Sequence, residues 1–363
     1  MKRKRYGVNS TYRGRRGGSS ALKVLIAILA ALLLIGVLSV LLLGKYIEYT
    51  DDGVRLVLPW LQEAKEDDRP SPAVSDDLII SEEPAVSVAP EPEPVVIPAG
   101  AVEVPVSAIL DGTAAGLAGE NAIVVMVKDL EGHLAWQSAS PLAEEAKGSD
   151  GESLNGSPVF SQAVRRLADQ EETYLVARLN CFCDLWMCVY DRSMILSTPG
   201  GKIWYDTKGM PWLSPANEAA RAYINGLCLE LAELGFDEIL LDCAGFPESG
   251  RLSAVAEDAN YPAGELEGAV TQWLAELTSL LEDSDTSLSV RTGRKDLDDC
   301  PSGRTAAALA GVRRVWVDET VDAGLWAEAL AHAGVEDPEE RVVQILSAEG
   351  EEMPESGWAV LTD

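Results

Sequence analysis

The stretch NEAARAYINGLCLELAELGFDEILLD, residues 217–242, decides the architecture. Its first part, Asn217–Leu234, repeats apolar side chains at helical spacing, and its last six residues, Asp237–Asp242, form a short apolar run of strand type. A helix that hands the chain directly to a strand is half of a βαβ unit. Working outward, the same alternation recurs. Strand-like runs lie at Val104–Leu110, Ala122–Lys128, Thr173–Leu179, Asp237–Asp242, Ser287–Arg291, Arg314–Val317, Arg341–Leu346 and Trp358–Leu361. Helical periodicity fills Phe160–Asp169, Asn217–Leu234, Gly264–Leu281, Thr305–Ala310 and Leu325–Ala333. The fold class expected is therefore α/β. Eight such strands within residues 105–363 match a (β/α)8 TIM-type barrel. An open doubly wound sheet is the rival, but no Gly-x-Gly-x-x-Gly turn follows an early strand and no phosphate-binding loop is present.

Upstream of the barrel the composition changes twice. Val24–Leu43 is 20 residues without a charge, about 30 Å of helix and the thickness of a hydrocarbon core. Residues 1–23 hold eight basic residues and no acid. That asymmetry predicts a single-pass transmembrane anchor at 24–43, with 1–23 in the cytoplasm and the C-terminal domain extracytoplasmic. No small-x-small cleavage site follows Leu43, so a signal anchor is expected rather than a cleaved leader. Residues 44–104 contain a juxtamembrane piece of unassigned strand pattern, Tyr46–Leu61, and then a Pro- and Glu-rich spacer with Ala-Pro-Glu-Pro-Glu-Pro at 89–94. Proline and like charge both extend such a segment.

The 363 residues carry a formal charge of −30, and 21 of the 29 basic residues are left to face all 59 acids once residues 1–23 are set aside. A body this acidic repels phosphate backbones, which excludes nucleic acid as a partner. With two histidines, His133 and His332, a multi-histidine metal centre has no material, and no cofactor or metal is expected. The six cysteines (181, 183, 188, 228, 243 and 300) lack the spacing of a disulfide scaffold and read as free thiols. The pair Cys181 and Cys183 also has the option of pairing or holding a metal.

In a barrel of this type function sits at the C-terminal strand ends. The polar residues expected there are Lys128 and Asp129, Arg178 and Asn180 with Asp184 just beyond, Asp242, and Asp318 with Glu319. The segment Asn121–Pro247 resembles a bacterial glycoside hydrolase family with an α-amylase-like barrel, often described only as a domain of unknown function. The resemblance is carried by Asn121–Asp129, Val176–Leu179 with Phe182 and Asp184, Gly201–Asp206, Trp212–Pro215 and Leu234–Asp242. It implies a hydrolase acting on a carbohydrate polymer or cell-envelope glycan, with Asp242 as nucleophile.

Glycoside hydrolysis needs two carboxyl groups, one to protonate the leaving oxygen and one to act as nucleophile or base. Alternation along the strand puts Glu238, Leu240 and Asp242 on one face, with Asp242 nearest the mouth. A loop-capping aspartate is the plain alternative. Asp318 and Glu319 are the candidate partner acids, with Glu248 in the loop after strand four; solvated loop carboxylates are the alternative for all three. Asp129, Arg178 and Asp184 are expected to shape the site, or Arg178 and Asp129 to form a buried ion pair. Trp204 and Trp212 are expected either to stack on sugar rings or to pack in the core.

The chain also departs from the resemblance. Where that family carries Asp-Tyr-Val-Arg-Phe-Pro, residues 242–247 read Asp-Cys-Ala-Gly-Phe-Pro, and its Phe-Lys-Asp is Phe182-Cys183-Asp184 here. Losing an Arg and a Lys beside Asp242 makes a catalytically degenerate, glycan- or envelope-protein-binding barrel the second expectation.

Overall fold

The computed structural model describes residues 47–50, 53–56, 97–170, 173–347 and 354–362. The chain divides into two units, Met1–Pro90 and Glu91–Asp363. In the first, Ile47–Thr50 and Gly53–Leu56 pair as an antiparallel hairpin within the stretch whose strand pattern had no assignment. The expected cytoplasmic segment, the apolar span 24–43 and nearly all of the spacer lie outside the described residues. No helix among the described residues is long and apolar enough to cross a membrane.

The second unit is a closed barrel of eight strands: β1 Gly100–Glu103, β2 Ala122–Lys128, β3 Leu175–Asn180, β4 Glu238–Asp242, β5 Ser287–Thr292, β6 Arg314–Val317, β7 Val342–Leu346 and β8 Trp358–Val360. Every neighbouring pair is parallel, and β8 closes on β1 through Trp358↔Gly100 and Val360↔Val102. This is the expected (β/α)8 architecture, with helices α1 Pro158–Ala168, α2 Glu218–Leu234, α3 Leu266–Leu280 and α4 Ala323–His332 in the longer crossovers.

The opening stretch folds as its pattern requires. Asn217 caps α2 by accepting from the Ala220 N–H, and Gly235 ends it at φ +95°, a left-handed conformation that glycine adopts without strain. Ala220, Tyr223, Ile224, Leu227, Leu231 and Leu234 bury one face against the barrel. All five β4 residues are buried, as in a strand with a helix layer outside and a filled interior.

One strand was misplaced. Val104–Leu110 was expected as the first strand, yet Val106–Asp111 is a helix, entered at Pro105 and stopped by Gly112 at φ +79°. The β-branched residues in Val-Pro-Val imitate a strand, but Pro105 lacks the N–H a central strand needs and instead suits a helix entry. The strand is the preceding Gly100–Glu103, inside the stretch expected to be spacer.

Side chains alternate across the barrel wall. Val124, Val176, Leu240, Trp316, Val343 and Ala359 fill the interior. Val125, Ala177, Leu179, Leu241, Val290 and Val315 face the helices. With the middle of the barrel filled largely by apolar side chains, and buried Ser289 facing in beside Leu240, the charged groups that point inward sit toward its two ends.

Candidate active site

At the C-terminal end the polar groups converge. Arg178 on β3 and Asp242 on β4 are both buried, and Arg178 Nε donates to Asp242 Oδ2 over 2.7 Å. Arg178 Nη1 also donates to Glu103 Oε2 and to the Thr362 carbonyl, both at 2.9 Å. Thr362 returns its N–H to Glu103 over 2.7 Å, tying the end of β8 to the end of β1 beneath the site. Burial opposes the charge on Arg178, but Asp242 and Glu103 outweigh it and raise its pKa.

A second guanidinium reaches the same carboxylate. Arg291, on β5, lies with Nη1 3.7 Å from Asp242 Oδ2 and donates from Nε to Asp318 Oδ1 at 2.7 Å. One arginine thus bridges Asp242 and Asp318. The separation of the two carboxylates cannot exceed these two contacts plus the width of a guanidinium, which keeps it below the upper end, about 9.5 Å, of the spacing used by glycosidase acid pairs. The other oxygen, Asp242 Oδ1, is buried and has no hydrogen-bond partner among the described residues. A buried carboxylate oxygen left unpaired costs free energy and calls for an explanation such as a catalytic role or a bound ion or water. Asp242 Oδ1 differs from Asp184 Oδ2, which also lacks a hydrogen-bond partner, in belonging to a residue that lines a cavity.

Asp242 opens into a cavity of about 420 Å³ whose lining includes Arg178, Asn180, Cys183, Trp212, Cys243, Glu248, Arg291, Arg304 and Asp318. Its walls are loops that leave the strand ends. The excursion after β3 is braced by the bridges Ile195↔Leu213, Ser197↔Ile203 and Cys183↔Trp212, and it brings in Asp206, Lys208 and Trp212. On the opposite side Arg304, buried, pairs with Asp296 at 2.9 Å and with Glu248. Asp296 also accepts from Thr292 at 2.6 Å and from Ser302. Gly245 explains part of this: a Cβ there would stand 2.6 Å from the Ser302 carbonyl and 3.1 Å from Arg304 Cγ. Arg304 thus packs over Gly245, where a side chain would collide with it.

The sequence-predicted residues divide. Asp242, Arg178, Asp318 and Trp212 come together around the cavity. Glu319 does not: it is exposed and lines a neighbouring hollow of about 300 Å³, reached past Arg291 and Asp318. The expected Arg178–Asp129 ion pair does not form. Asp129, half exposed, accepts instead from the His133 backbone at 2.9 Å and lies 3.3 Å from its ring. Asp184 is fully buried, paired with Lys128 at 2.8 Å and capping the helix Leu185–Tyr190 through the Met187 N–H, so its role is in the core. Trp204 is also core, 3% exposed with its N–H on the Arg251 carbonyl. Trp212 forms cavity wall, and its indole donates to Asp206 over 3.1 Å.

Three site residues were missed. Arg291 sits at a strand end that had been located, so the rule that selected Arg178 applied to it equally. Glu103 was hidden by the four-residue misplacement of β1. Arg304 lies in a loop, and no sequence signal marked it. Among the described residues no cluster of three or more His, Cys, Asp or Glu side chains could hold a metal ion.

The fold and cavity define a (β/α)8 barrel with a charged, carboxylate-bearing mouth. Residues 113–292, just under half of the chain, match the family described as "Putative glycosyl hydrolase domain", which bears out the resemblance carried by residues 121–247. A hypothetical protein from Ruminiclostridium thermocellum ATCC 27405 is 22% identical over 52% of this chain and 96% of its own, with a TM-score of 0.43. The PgaB (BpsB) glycoside hydrolase domain from Bordetella bronchiseptica is 12% identical over 69% of this chain and 84% of its own, with a TM-score of 0.44. The noncanonic maltogenic α-amylase AmyB from Thermotoga neapolitana is 12% identical, with a TM-score of 0.41; the match spans 68% of this chain and 57% of the amylase. Comparison with curated proteins finds no match.

Proposed function

We propose that the chain is a membrane-anchored, extracytoplasmic glycoside hydrolase acting on an envelope or environmental glycan, with Asp242 as nucleophile or base. One observation carries the reading. Asp242 is gripped by Arg178, with Arg291 close by, on one oxygen, while its other oxygen is unpaired beside a cavity of sugar-ring scale. A nucleophile needs this arrangement: orientation fixed from behind, a lone pair left toward the substrate. Asp318, across Arg291, is the partner acid, and Glu248 is the other carboxylate of the cavity near a cation. The apolar span 24–43, with its basic flank before it and acidic body after it, supports the anchor and the exported orientation.

A second reading has its own support. Asp318 is already engaged by Arg291 and Glu248 by Arg304, so neither offers a proton without giving up an ion pair. A barrel that binds glycan without cleaving it would keep the cavity and tolerate these pairings.

Reducing-sugar release by the full-length chain in detergent, on α-glucans and cell-wall polysaccharides, separates the two. The hydrolase reading expects release that falls on the order of 10³-fold or more in Asp242→Asn, about 4 kcal/mol of barrier. Glycan binding without release establishes the degenerate barrel. Release untouched by Asp242→Asn removes Asp242 from the chemistry.

A further inference from the structure

The cavity at Asp242 differs in charge from the body around it. Beyond residue 23 the chain has 21 basic and 59 acidic residues, yet the cavity lining takes five of the basic residues and only four of the acids. We infer that the glycan bound here is anionic, with a carboxylate or phosphate group held by Lys208 and Lys295 at the rim. The inference rests on the glycan site proposed above and names the class of its ligand.

The pairings in the cavity single out these two lysines. Its three arginines are engaged by carboxylates: Arg178 by Asp242, Arg291 by Asp318, and Arg304 by Glu248 and Asp296. The remaining cavity acid, Asp206, accepts from the Trp212 indole and from the backbone N–H groups of Lys208 and Met210. Lys208 and Lys295 are left, both exposed, and neither ammonium has a carboxylate partner among the described residues.

They also converge on one short segment of the rim. Lys208 sits in the excursion after β3, where the neighbouring Thr207 donates to the Ser249 hydroxyl at 2.8 Å. Lys295 sits in the helix Arg294–Asp298 after β5, and its Nζ donates to the Glu248 carbonyl at 2.8 Å. That bond uses one of the three N–H donors of an ammonium and leaves the others for a ligand.

The acidic body repels an anionic polymer, but screening limits that repulsion to about 8 Å at physiological ionic strength, so at the rim the nearest charges decide the sign. A neutral sugar offers two uncountered ammonium groups only hydroxyl acceptors, and an amino sugar is repelled by them. A carboxylate or phosphate accepts charge-assisted bonds, roughly twice as strong as neutral ones. Lysine meets either group as a point charge, so the two chemistries are separated by the choice of probe.

The test measures binding by isothermal titration of the full-length chain in detergent. The probes are polygalacturonate, its methyl ester, hyaluronan and a glycerol-phosphate teichoic acid. The ester keeps the sugar backbone and removes the charge, while the teichoic acid replaces carboxylate by phosphate. At least one anionic glycan should bind, and its affinity should fall as NaCl is raised tenfold, which shortens the screening length about threefold. The double substitution Lys208→Gln and Lys295→Gln should weaken binding on the order of tenfold. Lys202→Gln, at an exposed lysine outside the cavity lining, should leave it unchanged. Four results each overturn the inference: no anionic glycan bound at low salt, an ester bound as tightly as the acid, affinity unmoved by the double substitution, or an equal loss in Lys202→Gln. The salt and ester arms use the native chain, so they decide the case even if a variant fails to fold. Release from a neutral glycan that Asp242→Asn abolishes, with no anionic glycan bound, overturns this inference and keeps the hydrolase. An anionic glycan bound and not cut does the reverse.

Discussion

The interior of this barrel holds two buried arginine–carboxylate pairs, one at each end of the same five-residue strand. At the N-terminal end, fully buried Glu238 accepts from Arg314 Nη2 at 2.5 Å and Tyr174 at 2.9 Å on one oxygen, and from Trp316 at 3.1 Å and Arg314 Nε at 3.3 Å on the other. At the C-terminal end, Asp242 accepts from Arg178 on one oxygen and has the other unpaired. Leu240 separates them. Burial, charge and an arginine partner are common to both, so none of these marks a functional group. What differs is valence: Glu238 is saturated and closed behind aromatic rings, whereas Asp242 keeps a lone pair toward a cavity.

The largest effect that could break this comparison is on stability. Glu238→Ala leaves Arg314 buried without its partner and strips Tyr174 and Trp316 of an acceptor, for an expected loss of about 3–5 kcal/mol in urea unfolding. Asp242→Asn should cost far less, because Arg178 keeps Glu103 and the Thr362 carbonyl as partners. Equal destabilisation by the two substitutions would make both ends structural and remove the case for a site at Asp242.

How much of this was legible in the sequence follows the same division. Alternation placed Glu238, Leu240 and Asp242 on one face and α2 before them, because helical and strand periods are local properties of the chain. Arg178 and Asp318 were found by the strand-end rule. Glu103 was lost because four residues, Gly-Ala-Val-Glu, are too few for period-two patterning to outweigh the β-branched run after them. Asp184 was read as a site residue because its partner, Lys128, sits 56 positions away on another strand, and pairing at that range leaves no local trace. Arg304 packing over Gly245 is likewise a tertiary contact that no local pattern records.

The next effect is smaller and tests how Asp242 is held. Arg178 donates to Asp242, Glu103 and Thr362 from a planar fork that a lysine cannot reproduce. Arg178→Lys should cost about 1.5–3 kcal/mol in unfolding, the range for a hydrogen bond to a charged group. It should also lower kcat more than it raises KM, since Asp242 loses orientation while the glycan loses no direct contact. A pure KM effect would place Arg178 on the sugar instead.

The smallest effect separates the two tryptophans that the sequence treated alike. Trp204 is sealed, with its indole on the Arg251 carbonyl and its ring against Gly250. Trp204→Phe should lose about 1 kcal/mol of stability, one hydrogen bond, and leave glycan affinity unchanged. Trp212 lines the cavity and holds Asp206, so Trp212→Phe frees a carboxylate within reach of substrate and should shift affinity at similar stability cost. Affinity that responds to Trp204 rather than Trp212, measured by isothermal titration with the glycan that is bound or cleaved, would shift the binding surface along the excursion after β3, away from the wall that Trp212 forms. Asp242 would then have no substrate beside it, and an unpaired carboxylate oxygen without a substrate is only a cost to the fold.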